Sequence, residues 1–112
     1  MSLSKEQQEF SIDIAKLIIK ANILGIRLTF GDAYRSKEQQ EIYFKAKKSK
    51  TMKSNHLRRL AVDFNFFIDG KLIYINPLLE KLGHYWESLN KKNRWGGHFS
   101  NFYDAPHFER NV

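Results

Sequence analysis

The sequence predicts an α+β fold, in which helices pack on a small and mainly antiparallel sheet. Three stretches carry apolar side chains at helical spacing, and five short runs rich in β-forming residues lie between or after them. The pair Asp69-Gly70 separates two of these runs and is the strongest hairpin signal in the chain. The 112 residues contain no internal repeat, linker or low-complexity run, so we expect one domain over residues 1–112.

The first helix is predicted over residues 5–24. Ser4-Lys5-Glu6-Gln7 fits a capping box at its start, and Gly25 is a natural C-terminal stop. The side chains expected on its buried face are Phe10, Ile14, Leu17, Ile18 and Ala21. The short apolar run Ile26–Phe30 lies between two glycines and is predicted to be a strand.

A second capping box, Ser36-Lys37-Glu38-Gln39, predicts a helix from about 37 to 47. Its inward side chains are expected to be Ile42, Tyr43 and Ala46. The basic stretch 47–59 follows neither the helical nor the strand period, so it is predicted to be a loop.

The second half of the chain is predicted to begin with a hairpin made of Ala61–Ile68 and Lys71–Ile75. Asn76 then caps a third helix, with Pro77 at its first position. The residues expected on the buried side of this helix are Leu78, Leu82, Tyr85, Trp86 and Leu89. Two more short strands are predicted at Trp95–Phe99 and Ala105–Glu109.

The net charge of +7 is local. Residues 45–59 carry seven basic side chains and no acidic one, whereas the rest of the chain is balanced. A patch of this kind attracts polyanions, among them nucleic acid and anionic lipid. Without other evidence, the preferred explanation of the patch is a solvated loop that lysines keep soluble. The seven residues are Lys45, Lys47, Lys48, Lys50, Lys53, Arg58 and Arg59.

Several classes of protein are excluded by what the sequence lacks. Cysteine is absent, which excludes a disulfide scaffold, a thiol nucleophile and a Cys-ligated zinc site. No stretch of about 18 apolar residues occurs, so we expect no membrane span. No basic region followed by an apolar core is visible near the start, so we expect no secretory signal.

Two of the four histidines lie close to an aspartate in the sequence. Asp63 follows His56 by seven residues, and Asp104 precedes His107 by three. Two imidazoles and one carboxylate form a ligand set for Zn²⁺ that leaves a fourth position for water, as a catalytic site requires. Either pair alone occurs by chance in many chains, so a structural role stays open for each histidine.

The spacing of His56 and Asp63 restricts how they could meet. Seven is an odd offset, so on one ideal strand the two side chains would point to opposite faces. They converge only if His56 lies in the loop and Asp63 on the following strand. A charged Asp63 within an apolar run is costly unless it is paired or bound to a metal. The residues expected on its strand face are Ala61, Asn65 and Phe67.

Four segments together resemble the signatures of the zinc D-Ala-D-Ala carboxypeptidase and L-alanyl-D-glutamate endopeptidase family. Residues 54–63, Ser-Asn-His-Leu-Arg-Arg-Leu-Ala-Val-Asp, are similar to S-x-H-x-x-G-x-A-x-D. Residues 33–36 with Gln40 are similar to G-Y-R-S-x-x-x-Q. Residues 95–99 and 104–109 are similar to W-G-G-x-[WF] and [DE]-x-x-H-[FW]-E. The segments follow the family's order along most of the chain, and the likeness is greatest to the catalytic cores of phage endolysins.

The resemblance implies a single-domain zinc peptidase of the hedgehog/D-Ala-D-Ala peptidase-like fold that acts on peptidoglycan. His56, Asp63 and His107 match the three zinc ligands. Asp104 matches the general base, which deprotonates the zinc-bound water and later protonates the leaving amine.

Further positions carry over from the same resemblance. Arg35 matches the arginine that binds the substrate carbonyl or carboxylate and stabilises the developing oxyanion, and Ser54 matches a substrate-contacting position. His98 fills a variable position and is interpreted as non-ligating, whereas His84 is interpreted as structural. Trp95 is expected either to line the cleft or to lie in the core.

The chain departs from the family pattern at three positions. Arg59 stands where the family has Gly, so a positive φ at this position would be strained. Ala33 replaces the Gly before Tyr34, which is a milder change. Aspartate rather than glutamate at position 104 favours the endopeptidase branch over the dipeptide carboxypeptidases.

The expected function is therefore a zinc-dependent L-alanyl-D-glutamate endopeptidase of endolysin type, with Zn²⁺ as cofactor and a peptidoglycan stem peptide as substrate. Three alternatives stay open. They are a D-alanyl-D-alanine carboxypeptidase, a basic nucleic-acid-binding module that uses Lys45–Arg59, and a zinc-binding homologue kept for structure or recognition.

The resemblance also implies the oligomeric state, the partners and the location of such an enzyme. We expect a monomer with no nucleic acid partner and no separate cell-wall-binding domain. It would be made in the cytoplasm and would reach the wall after holin-mediated release. The cationic patch beside the cleft would then raise the local concentration of an acidic wall substrate.

Overall fold

The computed structural model describes residues 1–49, 51 and 53–112, so Lys50 of the basic patch lies outside the described residues. Three helices and a five-stranded antiparallel sheet confirm the α+β fold. The helices are α1 (Leu3–Ile23), α2 (Lys37–Lys45) and α3 (Pro77–Leu89), and the strands are β1 (Arg27–Phe30), β2 (Ala61–Ile68), β3 (Lys71–Ile73), β4 (Asn93–Trp95) and β5 (His107–Arg110). Two 3₁₀ turns cover Asn55–Arg58 and Gly96–His98. None of the described helices combines the length and the apolar character that crossing a bilayer requires.

The sheet is organised around β2. Strand β1 pairs with the middle of β2 along one edge, from Phe64 to Phe67. On the other edge, β5 pairs with the first three residues of β2 and β3 with the last three. Strand β4 then pairs with β5 at the far side. The pairing of β2 with β5 therefore places Asp63, the third residue of β2, opposite His107, the first residue of β5.

The predicted hairpin between β2 and β3 is present. Asp69 has φ 51° and Gly70 has φ 77°, which is the pair of positive angles that a two-residue type I′ turn requires. Strand β3 ends at Ile73, two residues earlier than predicted.

The core lies between one face of this sheet and helices α1 and α3. Phe64 and Phe66 of β2 and Phe108 of β5 are fully buried and contact one another, and the Trp86 ring of α3 packs edge-on against Phe108 at 5.9 Å. Asp63 lies on the opposite face of β2, as the alternation predicts, so burying the apolar face directs the carboxylate away from the core.

Helix α1 begins two residues before the predicted start, and the predicted capping box at Ser4 is wrong. Ser2 is the N-cap, because its Oγ accepts a hydrogen bond from the Lys5 amide at 3.1 Å. Ser4 lies inside the helix, where its Oγ accepts from Gln8. The Gln7 side chain donates instead to the Arg58 carbonyl across the molecule.

The buried face of α1 also contains two acidic residues that hydrophobic periodicity did not predict. Asp13 Oδ2 accepts a hydrogen bond from Arg110 of β5 at 2.6 Å, and Glu6 pairs with Lys92 at 2.9 Å. Arg110 is only 1% exposed and is also bound by Asn93. Buried charges need partners, and in this network the acidic side chains of α1 and the basic side chains near β4 and β5 pair with each other.

Helix α2 is capped by Ser36 as predicted, but its predicted inward face is wrong. Ile42 and Ala46 are exposed and Tyr43 is half-buried, whereas Gln40 is fully buried. The helix therefore packs its polar residues against the site loops rather than apolar residues against the core. In α3, the Asn76 cap and Pro77 start are confirmed, and the fully buried residues are Leu79, Leu82, Gly83 and Trp86.

The predicted strand at Trp95–Phe99 is also wrong, since β4 ends at Trp95 and a 3₁₀ turn follows. Trp95 is fully buried, so it belongs to the core and not to a cleft wall. A Cβ at Gly97 would lie 2.2 Å from the Trp95 ring, and one at Gly83 would lie 2.1 Å from it. The chain turns tightly over this indole, which an extended strand could not do.

Candidate metal and active site

The three predicted ligands converge at the junction of β2 and β5. His56 lies in the 3₁₀ turn Asn55–Arg58, Asp63 is the third residue of β2, and His107 opens β5 directly opposite Asp63 in the register. One donor atom from each residue lies within 4.8 Å of the other two. The loop places His56 beside Asp63 despite their odd offset, and strand pairing does the same for His107.

Hydrogen bonds on the outer side of each imidazole fix the direction of its lone pair. His56 Nδ1 lies 3.2 Å from the Ala33 carbonyl, which only accepts, so the proton sits on Nδ1 and Nε2 faces Asp63 Oδ2 at 3.3 Å. His107 Nε2 lies 2.7 Å from Glu109 Oε1, and its Nδ1 faces Asp63 Oδ1 at 3.1 Å. Such outer carboxylate and carbonyl partners are typical of metal-ligating histidines.

The electrostatics of this cluster favour a charged Asp63. Burial raises the pKa of the Asp63 carboxyl, but hydrogen bonds with His107 and His56 outweigh burial and hold that pKa far below its usual range. Burial lowers the pKa of His107, but the bonds to Asp63 and Glu109 dominate and raise it to about 9. A bound cation would replace the proton that His107 otherwise takes up.

The donor set fits zinc. Two imidazole nitrogens and a carboxylate oxygen are the ligands that catalytic zinc sites use, with a fourth position left for water. His56 is almost fully buried, whereas the Asp63 side chain is a quarter exposed, so one side of the cluster is open. It opens into a cleft of about 1200 Å³ that Arg35, Ser54 and Asp104 also line.

Arg35 is held in place by several partners. Its Nε and Nη2 donate to Asp32 Oδ2 at 3.2 and 3.0 Å, and Nη1 donates to Gln40 Oε1 at 2.7 Å. The Tyr43 ring lies 4.8 Å from the guanidinium carbon, and Nη2 lies 3.7 Å from Asp63 Oδ2. A guanidinium fixed in this way is pre-organised beside the cluster.

Gln40 connects Arg35 to the basic stretch 47–59. It binds Arg35 through Oε1, while its Nε2 donates to Ser49 Oγ at 2.8 Å and to the Thr51 carbonyl. This explains why Gln40 is the buried residue of α2. Asp32, the Ala33 carbonyl and Glu109 are further supports whose roles the sequence did not predict, although Ala33 and Glu109 lie inside the quoted motifs.

Asp104 is held on the loop before β5. Its amide donates to the Gly96 carbonyl at 2.9 Å, and its carbonyl accepts from the His107 amide at 3.1 Å. A Cβ on Gly96 would lie 2.1 Å from the Asp104 carbonyl oxygen, so only glycine permits this approach. Burial and the nearby Asp63 charge raise the pKa of the Asp104 carboxyl, which is what a proton acceptor needs.

Ser54 has a structural contact in addition to its place on the cleft wall. It caps the 3₁₀ turn, since its Oγ accepts a hydrogen bond from the His56 amide at 3.2 Å. The described contacts therefore explain Ser54 as a support of His56, and its contact with substrate stays a prediction.

Arg59 adopts the left-handed conformation that a glycine would favour. Its φ is 57° and its ψ is 35°, which confirms that this position needs a positive φ. The loop has kept its course, and the guanidinium lies 4.1 Å from the centre of the Tyr34 ring. The stacking of Arg59 on Tyr34 offsets part of the backbone cost.

The basic segment forms one side of the cleft. Lys47, Lys48, Lys53 and Arg58 line it. Lys45 instead pairs with Glu41 on the surface of α2 at 2.9 Å. The local positive charge therefore faces the open side of the candidate metal site.

The other two histidines lie apart from this cluster. His98 binds Glu80 and Glu87 of α3 at 2.8 and 2.7 Å. The His84 ring lies 4.8 Å from the His98 ring. Although His98 lines the cleft, its nitrogens are directed toward α3 and not toward Asp63.

Known proteins resemble this chain in sequence and in fold. A family model described as D-alanyl-D-alanine carboxypeptidase matches residues 47–110, more than half of the chain. No curated protein sequence matches.

Two solved structures share the fold. The L-Ala D-Glu endopeptidase ChiX of Serratia marcescens has a TM-score of 0.70 at 22% identity, covering 88% of this chain and 78% of that one. A mutant of the vancomycin resistance D,D-pentapeptidase VanY, from a VanB-type resistance cassette and in complex with Zn(II), has a TM-score of 0.58 at 19% identity, covering 93% and 71%.

Proposed function

The chain belongs to the D-alanyl-D-alanine carboxypeptidase family and is a zinc metallopeptidase, and from this premise we propose that it hydrolyses peptidoglycan stem peptides. The bond that we propose is the one between L-alanine and D-glutamate. The observation that carries the proposal is the convergence of His56, Asp63 and His107 in one cleft with Arg35 and Asp104. Zinc bound by the three ligands would supply a Lewis acid that lowers the pKa of a coordinated water.

Asp104 is proposed as the general base. Its carboxyl lies in the same cleft, and burial has already raised its pKa above the ordinary value. It would take a proton from the attacking water while the oxygen bonds to the scissile carbonyl carbon. It would then give that proton to the amine as the C–N bond breaks, so the products are a carboxylate and a free amine.

Arg35 is proposed to bind the carbonyl oxygen or a neighbouring carboxylate of the substrate. Its guanidinium is already oriented by Asp32, Gln40 and Tyr43, so little reorganisation accompanies charge development on the oxygen. Ser54 is proposed to contact the peptide from the wall of the cleft.

The basic side of the cleft supports an acidic substrate. Lys47, Lys48 and Lys53 line it, and stem peptides carry carboxylates. We propose that this patch also concentrates the protein on the wall, in keeping with an endolysin-type role. One domain over residues 1–112, a monomeric state and holin-mediated release stay predictions.

Hydrolysis of the D-alanyl-D-alanine bond is the second candidate, since the family model carries that description. The Asp side chain at position 104 favours the endopeptidase assignment. Mass spectrometry of digested peptidoglycan separates the two, because one reaction releases D-alanine and the other exposes a new D-glutamate amine.

The test combines metal analysis with loss of turbidity of purified peptidoglycan. We expect the wild type to hold Zn²⁺ and to lyse the wall. Asp104→Asn should retain zinc and lose about 10²–10⁴-fold in rate. Asp69→Asn, the same change in the exposed hairpin turn, is the matched control and should keep full activity. Lysis by Asp104→Asn at the wild-type rate would contradict the proposed role of Asp104.

A further inference from the structure

A second cluster of metal-ligating side chains lies outside the proposed active site. Glu80 and His84 are one turn apart on α3, and His98 comes from the 3₁₀ turn after β4. One donor atom from each of the three lies within 4.8 Å of the others. Among residues 1–49, 51 and 53–112, this group and the His56 group are the two such clusters.

The separations in this cluster are close to those of a tetrahedral site. His98 Nε2 lies 2.8 Å from Glu80 Oε1, and His84 Nε2 lies 3.8 Å from the same oxygen. With bonds of ~2.0–2.1 Å, the donor atoms of a tetrahedral zinc site lie about 3.3 Å apart. Only small side-chain movements are needed, and the exposed His84 and Glu80 are free to make them.

The ring nitrogen of His98 that faces away from Glu80 has a carboxylate partner, as in metal-ligating histidines. Its Nδ1 lies 2.7 Å from Glu87 Oε1, which fixes the proton on Nδ1 and leaves Nε2 directed toward Glu80. The buried Trp95 ring packs edge-on against the imidazole at 4.7 Å and limits its rotation. The Glu87–His98 pair thus repeats the relation of Glu109 to His107.

We propose that Glu80, His84 and His98 form a second, exchangeable site for a divalent transition metal, with Glu87 as the outer support. Two imidazoles and one carboxylate favour zinc, and copper and nickel would also bind. Because the ligands are exposed, we expect weaker binding than at the buried site. A metal bound at this site would link the turn Gly96–His98 to helix α3. The same turn positions Asp104, because the Asp104 amide donates a hydrogen bond to the Gly96 carbonyl.

The proposal is tested by Zn²⁺ stoichiometry in equilibrium dialysis and by Co²⁺ absorption. The wild type should bind two equivalents, the second more weakly. His84→Ala should bind one, because a ligand from α3 is lost. Lys81→Ala, an equally exposed change on the same helix, should still bind two. His56→Ala should lose the tight equivalent and keep the weak one.

The outcomes separate this site from the proposed active site. In zinc-loaded protein, substoichiometric Cu²⁺ should broaden the NMR signals of His84 and His98 and leave those of His56 sharp. One equivalent in the wild type, or two equivalents in His84→Ala, would overturn the second site. Neither result depends on peptidase activity, so failure here leaves the proposed function intact.

Discussion

Nε2 of His107 lies 2.7 Å from Oε1 of Glu109, two residues further along β5, while the other ring nitrogen faces Asp63. Both side chains project from the same face of the strand, because strand residues alternate. The carboxylate therefore determines which nitrogen of His107 is available as a ligand. Glu109, which lies outside the three-residue cluster of His56, Asp63 and His107, is thus expected to control metal affinity.

The first prediction concerns this pair. Glu109→Gln keeps the shape but loses the charge that makes His107 a better donor. We expect zinc affinity to fall about 10–100-fold, measured by competition with a chromophoric chelator. Glu41→Gln, which removes an exposed carboxylate paired with Lys45, should leave affinity unchanged. Wild-type affinity in Glu109→Gln would show that Glu109 does not tune the ligand.

The second prediction concerns the approach of Gly96 to Asp104. In Gly96→Ala the new methyl group would collide with the Asp104 backbone, so the loop must move. We expect a loss of about 1–3 kcal/mol in unfolding free energy. A base displaced by about 1 Å should slow turnover about 10²-fold, while zinc binding is kept.

Gly25→Ala is the matched control for this change. Gly25 has φ +80° but open space around its Cβ position, so alanine there should cost about 1 kcal/mol and leave turnover unchanged. If Gly96→Ala proves as active as Gly25→Ala, the placement of Asp104 does not depend on Gly96.

The third prediction separates the backbone strain at residue 59 from the contact between the Arg59 side chain and Tyr34. Arg59→Gly and Arg59→Ala both lose the contact with Tyr34, but only alanine keeps the strain of the positive φ. We therefore expect the glycine variant to be more stable than the alanine variant by about 1 kcal/mol, measured by urea denaturation. Equal stabilities would mean that the backbone at residue 59 relaxes when the arginine is removed.

The fourth prediction concerns pH and His98 in metal-free protein. Burial lowers the pKa of His98, but hydrogen bonds to Glu80 and Glu87 outweigh it and raise that pKa above the ordinary 6.5. The folded state thus favours the protonated ring. This contribution to stability is complete below about pH 6.5 and is lost as the pH rises through the folded-state pKa.

The measurement compares melting temperatures of the wild type and His98→Gln in a chelator. The wild type should exceed the variant by more at pH 6 than at pH 9. His107 titrates in both proteins, so its effect cancels in the difference. A gap that is constant or grows with pH would contradict the assignment.

The fifth prediction tests the basic patch as a wall-targeting surface. Changing the patch lysines to glutamine should weaken binding to intact wall, most strongly at low salt, and spare hydrolysis of a small peptide. The lysines to be changed are Lys45, Lys47, Lys48 and Lys50. Lys45 already pairs with Glu41, so we expect Lys47 and Lys48 to account for most of the effect.

The control for the patch is a set of four exposed lysines elsewhere, changed in the same way. They are Lys5, Lys16, Lys71 and Lys81. Equal loss on wall and peptide in the patch variant would instead indicate that the patch supports the fold or the site. Equal loss of wall binding in both variants would show that binding depends on the net charge of the protein and not on the position of the patch.

The architecture could be predicted from the sequence where hydrophobic period and turn chemistry agreed. Asp69-Gly70 fixed the hairpin, and the alternation in β2 predicted that Asp63 would face away from Phe64. The same alternation led to the loop position of His56. Local patterns were sufficient because each of these features depends on neighbours in the sequence.

The features that were missed depend on distant neighbours. Ile42 has the spacing of a core residue, yet Gln40 is buried because it must reach Arg35 and Thr51. The sequence of residues 95–99 resembles that of a strand. The chain turns there instead, because the Trp95 indole occupies the space beside Gly97. Glu109 is an exception, because it lies two residues after His107 on the same face of β5 and the predicted strand Ala105–Glu109 already placed the two side chains together.

The network around Arg110 has a consequence for how the protein is made. Arg110 binds Asp13 of α1, which lies 97 positions earlier in the sequence, and both side chains are buried. Helix α1 is therefore synthesised before its charged partner in β5. We therefore expect the core to close only after translation has passed Arg110, with slow folding that reflects this long-range contact. Until then Asp13 on the inner face of α1 lacks its arginine partner, and the growing chain lacks the complete strand β5 that borders the candidate site.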